Sequence, residues 1–193
     1  MRTVIVPGIG GSDREHWQSI WESRHPGMRR IEPSSWDEPD ADDWSRALDR
    51  AVGGARAVLV AHSLGCLLAV RWAHVHPENV AGLFLVATPD PAGPRFPREA
   101  ESFSAGLDVT PAAPVLMINS SDDPYCSPER SERFAAQWGA ASVSLGPRGH
   151  LNSASNLGDW EEGAHLLTAF AAGIQSPPRP GRSNVRAEQV ACL

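Results

Sequence analysis

The chain has 193 residues, of which 41% are hydrophobic and 21% charged, the balance of an ordinary globular protein of one domain. A formal net charge of −6 offers no clustered positive field for nucleic-acid or acidic-membrane phosphates. Apart from histidine every basic side chain is arginine; with no lysine in the sequence, Schiff-base chemistry, a pyridoxal lysine and a P-loop lysine are excluded.

The opening residues Met1-Arg2-Thr3-Val4 run straight into a strand-like segment at 3–6 and lack the apolar stretch and cleavage site of a signal peptide. A helix follows at 13–24, with Trp17, Ile20 and Trp21 on one face. After a strand at 28–31, Asp40 caps a helix that carries Trp44, Leu48 and Ala51 in phase, and Gly53-Gly54 ends it. The strand at 57–61 leads into a helix at 64–76 that is apolar nearly all round and therefore buried. Beyond a strand at 82–87, the segment 88–113 is rich in proline and glycine; a connection this long is functional or disordered, and its Phe96, Phe103 and Leu107 suit it to packing over a pocket. A strand at 115–119 precedes Ser127-Pro128, a cap with proline at the first helical position, and Phe134 and Trp138 lie on the inner face of that helix. The last strand is at 142–145 and the last helix, with Leu167 and Phe170, at 160–172.

Several of the strands are unbroken blocks of Val, Ile, Leu and Ala, as in a parallel sheet covered on both faces. Their alternation with helices predicts a three-layer α/β/α sandwich with a mostly parallel six-stranded sheet, in the order 2-1-3-4-5-6 with right-handed connections. The domain is expected to span 1–174. The polar, proline-containing tail from 175 to 193, with three arginines against one glutamate, reads as disordered. Cys66, Cys126 and Cys192 have no metal-ligand spacing and read as reduced thiols. No apolar run approaches membrane-spanning length, so a cytoplasmic protein without a membrane partner is expected. The sequence carries no signal of oligomeric state.

Chemistry enters at Ala61-His62-Ser63-Leu64-Gly65, between strand 57–61 and helix 64–76. A sharp strand–serine–helix turn needs small residues two before and two after the serine, and positions 61 and 65 supply them. The turn lifts the Ser63 hydroxyl above the sheet edge, and the helix N-terminus behind it favours an oxyanion. The rival reading is a serine N-cap on a buried helix.

A serine hydroxyl needs an adjacent base, itself oriented by a carboxylate. Behind such a turn the chain order is serine, acid, histidine. Asp122 and Asp123 follow strand 115–119, and His150 follows strand 142–145. Of the seven histidines, only His150 sits on a loop after a strand; His62 adjoins the serine and reads as a supporting residue. One aspartate orients His150 while the other holds the turn, and Asp123 is kept extended by Pro124. The glycine-rich Val6-Pro7-Gly8-Ile9-Gly10-Gly11 lets backbone approach a ligand closely, and the N–H groups of Ile9 and Leu64 form the expected oxyanion hole. The spacing is not that of a phosphate-cradling loop.

These segments, with Trp36-Asp37-Glu38-Pro39, Ser121-Asp122-Asp123-Pro124-Tyr125, Gly149-His150-Leu151-Asn152 and Leu157-Gly158-Asp159-Trp160-Glu161-Glu162-Gly163, resemble the small serine hydrolases of the α/β-hydrolase fold, a family that includes the retinoblastoma-binding hydrolase of animals. The resemblance runs from about position 4 to about position 167, and the last segment resembles the bacterial branch. It implies a triad of Ser63, Asp123 and His150 and a compact hydrolase without a large cap domain. Two departures stand out. Ala61 replaces the usual glycine, and Leu64-Gly65-Cys66-Leu67-Leu68 lacks the glutamate of a Leu-x-Cys-x-Glu motif, so no retinoblastoma partner is implied.

The expected function is hydrolysis of a small carboxylester or related acyl substrate through an acyl-enzyme on Ser63, with no cofactor or metal. Trp36 and Phe103 are the candidate pocket residues. The competing expectations are acyl transfer by the same triad and a non-hydrolytic binding or regulatory protein on a hydrolase scaffold.

Overall fold

A computed structural model describes residues 2–175. The chain runs β1 (Arg2–Val6), α1 (Trp17–Arg24), β2 (Met28–Arg30), α2 (Ala41–Val52), β3 (Ala57–His62), α3 (Leu64–Val75), β4 (Val80–Val86), β5 (Val115–Asn119), α4 (Pro128–Trp138), β6 (Ala141–Ser144) and α5 (Glu161–Gln175). The six strands form one sheet in the expected order β2-β1-β3-β4-β5-β6, and each neighbouring pair is parallel. Of the tail expected at 175–193, Gln175 closes α5 and the remainder lies outside the described residues, as does Cys192.

Side-chain alternation divides the core in two. Val4, Val6, Leu59, Ala61, Leu83 and Leu85 point to a cluster with Trp44, Leu48 and Leu67 of α2 and α3, and Phe134 and Trp138 of α4. Ile5, Val58, Val60, Phe84 and Val86 point the other way, to Trp17 and Trp21 of α1 and to Phe170 and Ile174 of α5. Helices therefore cover both faces, which is why the central strands read as unbroken apolar blocks. Strand β6 lies at the edge, and its Ala141-Ser142-Val143-Ser144 is largely exposed.

Caps explain most helix limits. The Asp40 carboxylate accepts the Asp43 N–H at 2.7 Å, and left-handed Gly53 ends α2. Ser127 caps α4 in front of Pro128, and Gly139 closes it. Helix α1 begins later than position 13 because Asp13 is used differently: its carboxylate accepts the Glu15 and His16 N–H groups in a turn of its own, and His16 becomes the N-cap. Helix α5 begins at Glu161, one residue beyond the expected start, because Trp160 has φ 44°.

The long 88–113 connection is ordered. Its centre winds into a 3₁₀ turn, Arg98–Phe103, that buries Ala100 and Phe103. Arg71 of α3 donates to Ser102 O at 2.8 Å, and the Ser102 hydroxyl accepts the Ala41 N–H at 3.2 Å.

The chain passes from β1 to β2 on one side and then, through α2, crosses back past β1 to β3, so the strand order reverses between β1 and β3 and the switch point lies at their carboxyl ends. Gln18, fully buried on α1, ties those ends together. Its amide N–H groups donate to Val60 O at 3.0 Å and Val6 O at 3.4 Å, and its carbonyl accepts the Ser12 hydroxyl at 2.8 Å. Gln18→Leu is expected to lower stability by about 1–3 kcal/mol, because buried polar groups lose their partners; urea-denaturation midpoints measure it.

Candidate active site

Ser63 has φ 52° and ψ −125°, outside the regions open to ordinary L-residues. Its N–H donates to Val86 O at 3.0 Å, and its carbonyl accepts the Cys66 N–H at 2.9 Å. The hydroxyl does not cap α3; it lies 2.8 Å from His150 Nε2. The geometry thus disposes of the plain N-cap reading. A Cβ at Gly65 would sit 2.3 Å from Val6 O and 2.5 Å from Pro7 O, and one at Gly8 would sit 2.8 Å from the Ser63 Cβ. The turn is possible only because those two residues have no side chain.

His150 Nδ1 lies 2.9 Å from each carboxylate oxygen of Asp123. A carboxylate accepts, so Nδ1 carries the proton and Nε2 turns its lone pair to the Ser63 hydroxyl. The His150 and Asp123 side chains are almost wholly buried. Asp122 has the other role left open by the sequence. One of its oxygens accepts the Ser120 hydroxyl and the Gly149 N–H, both at 2.7 Å, and these bonds hold its pKa below the ordinary carboxylate range. It therefore fixes the loop that carries His150.

The N–H groups of Gly10 and Gly11 are taken by Trp36 O at 3.2 Å and Gly8 O at 3.1 Å, while those of Ile9 and Leu64 have no acceptor among the described residues. Ile9 and Leu64 line one cavity with Ser63 and His150, of about 560 Å³. Its apolar lining includes Pro89, Phe96, Pro97 and Tyr125; its polar lining includes Ser12, Asp13, Asn152, Ser153 and Glu99.

Neither expected pocket aromatic lines this cavity. Phe103 is fully buried, edge-on to Trp44 with ring centroids 5.2 Å apart. Trp36 lies beneath the glycine loop, so close that a Cβ on Gly11 would be 2.8 Å from its ring. It shapes the site by supporting main chain. Phe96 and Tyr125 supply the aromatic surface instead, and the Tyr125 ring packs 4.5 Å from that of His150. Sequence reasoning also missed Arg30, which donates to Gly11 O and Ser12 O and pairs with Glu22 at 2.8 Å. Nothing in its local pattern separates it from Arg29.

His16 is buried beside the site. Its Nδ1 accepts the Gln18 N–H at 3.2 Å, and burial is the main cause that lowers its pKa to about 4. Among the described residues no group of His, Cys, Asp or Glu side chains is arranged to hold a metal ion, and no helix is long and apolar enough to cross a membrane.

The family model described as serine hydrolase matches residues 3–169. The structure is similar to that of a YdeN-like hydrolase from Pectobacterium atrosepticum, with 33% identity, a TM-score of 0.80, and 90% of this chain and 91% of that one covered. The ydeN gene product of B. subtilis is 21% identical with a TM-score of 0.74, covering 89% and 100% of the two chains. A thermophilic esterase from Thermogutta terrifontis, 14% identical with a TM-score of 0.68 over 91% of each chain, shares the fold. No curated protein sequence matches.

Two expectations follow from this geometry. Gly65→Ala should destabilise the protein by more than about 3 kcal/mol, since the clash is with main chain that cannot rotate away; thermal and urea melts of the purified variant measure it. Unfolded, His16 takes up a proton below about pH 6.5, whereas folded it stays neutral to about pH 4. Stability is thus unaffected above that window and falls as pH drops through it, by on the order of 3 kcal/mol from this group. His62, shifted the same way, adds to the loss. Urea midpoints taken from pH 7 to 4 should fall less steeply in His16→Asn, which keeps a helix cap without the titrating ring.

Proposed function

The chain belongs to the serine hydrolase family, and we propose that it hydrolyses small, non-anionic carboxylesters or related acyl compounds through an acyl-enzyme on Ser63. The observation that carries this reading is the continuous line of contacts from Ser63 Oγ to His150 Nε2 and from His150 Nδ1 to Asp123, at 2.8 and 2.9 Å, with the serine held on a turn at the cavity floor.

In the reaction, His150 Nε2 takes the hydroxyl proton as Ser63 Oγ bonds to the acyl carbon. The carbonyl π electrons move onto oxygen, and the N–H groups of Ile9 and Leu64 bind the oxyanion, with the N-terminus of α3 adding a favourable dipole. Asp123 keeps the proton on Nδ1 and stabilises the imidazolium. Collapse of the tetrahedral intermediate breaks the bond to the leaving oxygen, which takes the proton from His150 Nε2. Water then repeats the sequence: it gives a proton to His150, attacks the acyl carbon, and Ser63 leaves reprotonated as the acid is released.

The cavity volume supports a small substrate. Pro89, Phe96, Pro97 and Tyr125 suit an apolar acyl or alcohol group. The charged lining disfavours an anionic one: Asp13 and Glu99 contribute carboxylates and no arginine lines the cavity. A hydroxyl bond from Ser153 holds Asp13 in its anionic form, lowering its pKa.

A fluorophosphonate probe should label the wild type once, on Ser63, and leave Ser63→Ala unlabelled. Ser63→Ala should lower kcat on an activated ester by on the order of 10⁶-fold and Asp123→Asn by on the order of 10⁴-fold. Failure of the folded wild type to label would sink the reading and favour a binding role; products carrying an added alcohol or amine in place of the free acid would favour acyl transfer. Across a panel of p-nitrophenyl esters, short neutral acyl groups should turn over faster than a hemisuccinate of equal length, by roughly tenfold in kcat/KM.

A further inference from the structure

We propose that His62 is a positioning residue for this reaction, its Nε2–H holding the His150 main chain so that the His150 ring meets Ser63; the inference rests on the catalytic reading above. His62 ends the row Val58, Val60, His62 on β3, which faces the cluster built on Trp17 and Trp21. That row calls for an apolar side chain, yet a nearly fully buried imidazole occupies its end. Its Nε2 lies 2.9 Å from His150 O. A carbonyl oxygen can only accept, so Nε2 carries the proton.

The segment so held has little regular structure to hold it. Gly149 and Leu151 on either side of His150 have φ 60° and 48°. Three separate bonds anchor these peptides: Asp122 accepts the Gly149 N–H at 2.7 Å, His62 donates to His150 O at 2.9 Å, and the Trp17 indole donates to Leu151 O at 2.9 Å. Of the three donors and acceptors, only His62 is covalently joined to Ser63. Adjacent residues on the turn therefore contact the two ends of one histidine, Ser63 at the ring and His62 at the carbonyl. Any shift of the His150 peptide relative to the turn must break one of these contacts.

The His62 ring is itself fixed. His16 lies edge-on to it with centroids 4.6 Å apart, and Trp17 lies edge-on at 6.2 Å. Burial, with His16 and His150 close by, keeps it neutral and thus able to leave Nδ1 bare while Nε2 donates.

The test compares His62→Leu, which fills the space without a donor, with His62→Gln, whose amide N–H reaches the same carbonyl. His62→Leu should lower kcat and the fluorophosphonate labelling rate by about 10- to 100-fold, the effect of a slight misplacement of a reacting group, with KM changed by less than about twofold. His62→Gln should recover most of the loss. A His62→Leu enzyme within about twofold of wild type in kcat, or a His62→Gln enzyme no better than His62→Leu at equal thermal midpoint, overturns the proposal. If His62→Leu does not fold, ¹⁵N NMR of the wild-type histidines decides. The neutral Nε2–H tautomer at His62 is expected, and an Nδ1–H tautomer or an imidazolium at neutral pH overturns it. A wild type that does not label at all overturns the catalytic reading as well, whereas equal labelling of wild type and His62→Leu overturns the role of His62 alone.

Discussion

A residue with a side chain held at φ 52° and ψ −125°, as Ser63 is, sits about 1–3 kcal/mol above an ordinary conformation. The close approach of the β1 exit to the first turn of α3 maintains it. Gly65 lies against Val6 O and Pro7 O, and Gly8 lies against Ser63 itself. This contact brings Ile9 and Leu64, one from each segment, to the cavity that Ser63 lines. It also explains why an alanine is accepted at position 61, whose side chain points into the packed core, while the glycines at 65 and 8 have no room for a methyl group.

Everything else at the site depends on all the strands running the same way. Because each pair is parallel, every carboxyl end emerges on one edge of the sheet, and five of the six contribute to the site. β1 gives the glycine loop, β3 the serine, β5 the two aspartates, β6 the histidine loop, and β4 the long connection that forms part of the cavity wall. The parts come from distant stretches of chain; Ser63 and His150 are 87 residues apart. Short bonds between side chains and main chain set their relative positions. Gln18 joins β1 to β3, Asp122 joins the acid loop to the base loop, and Arg30 secures the glycine loop from the far side of β1.

The central strands were legible because a doubly covered parallel strand reads as an unbroken apolar block, whereas β2 and β6 carry no such block and the sheet order followed from the alternation of strands and helices. Boundaries were less so. Helix α1 starts after position 13 because Asp13 turns its carboxylate to a local loop, a choice between two hydrogen-bonding patterns that the sequence allows equally. Ser63 and His150 were legible from local chemistry plus chain order. The choice between Asp122 and Asp123 needed the resemblance, since both follow β5 and either can close a turn. The pocket was the least legible part. Phe96 and Phe103 belong to the same aperiodic segment, and only the 3₁₀ turn, which buries Phe103 against Trp44 and leaves Phe96 at the cavity, tells them apart. Trp36 reads as a pocket aromatic in sequence, but its role is to lie under backbone.

The connection from β4 to β5 has a separate consequence. Among the described residues it makes no hydrogen bond to Ser63, His150 or Asp123, yet Pro89, Phe96, Pro97 and Glu99 all face the cavity. Its packing is anchored at Phe103 on Trp44, at Ser102 on Arg71 and Ala41, and at Asp90, whose N–H donates to Tyr125 O at 2.9 Å and whose carboxylate pairs with Arg130 at 3.0 Å. Under the proposed function, one wall of the substrate cavity thus lies on a different stretch of chain from Ser63, Asp123 and His150. Substitutions at the cavity-facing positions between 89 and 99 would reshape that wall and leave the side chains of Ser63, Asp123 and His150 in place. The same stretch is where a library for directed evolution should concentrate its diversity.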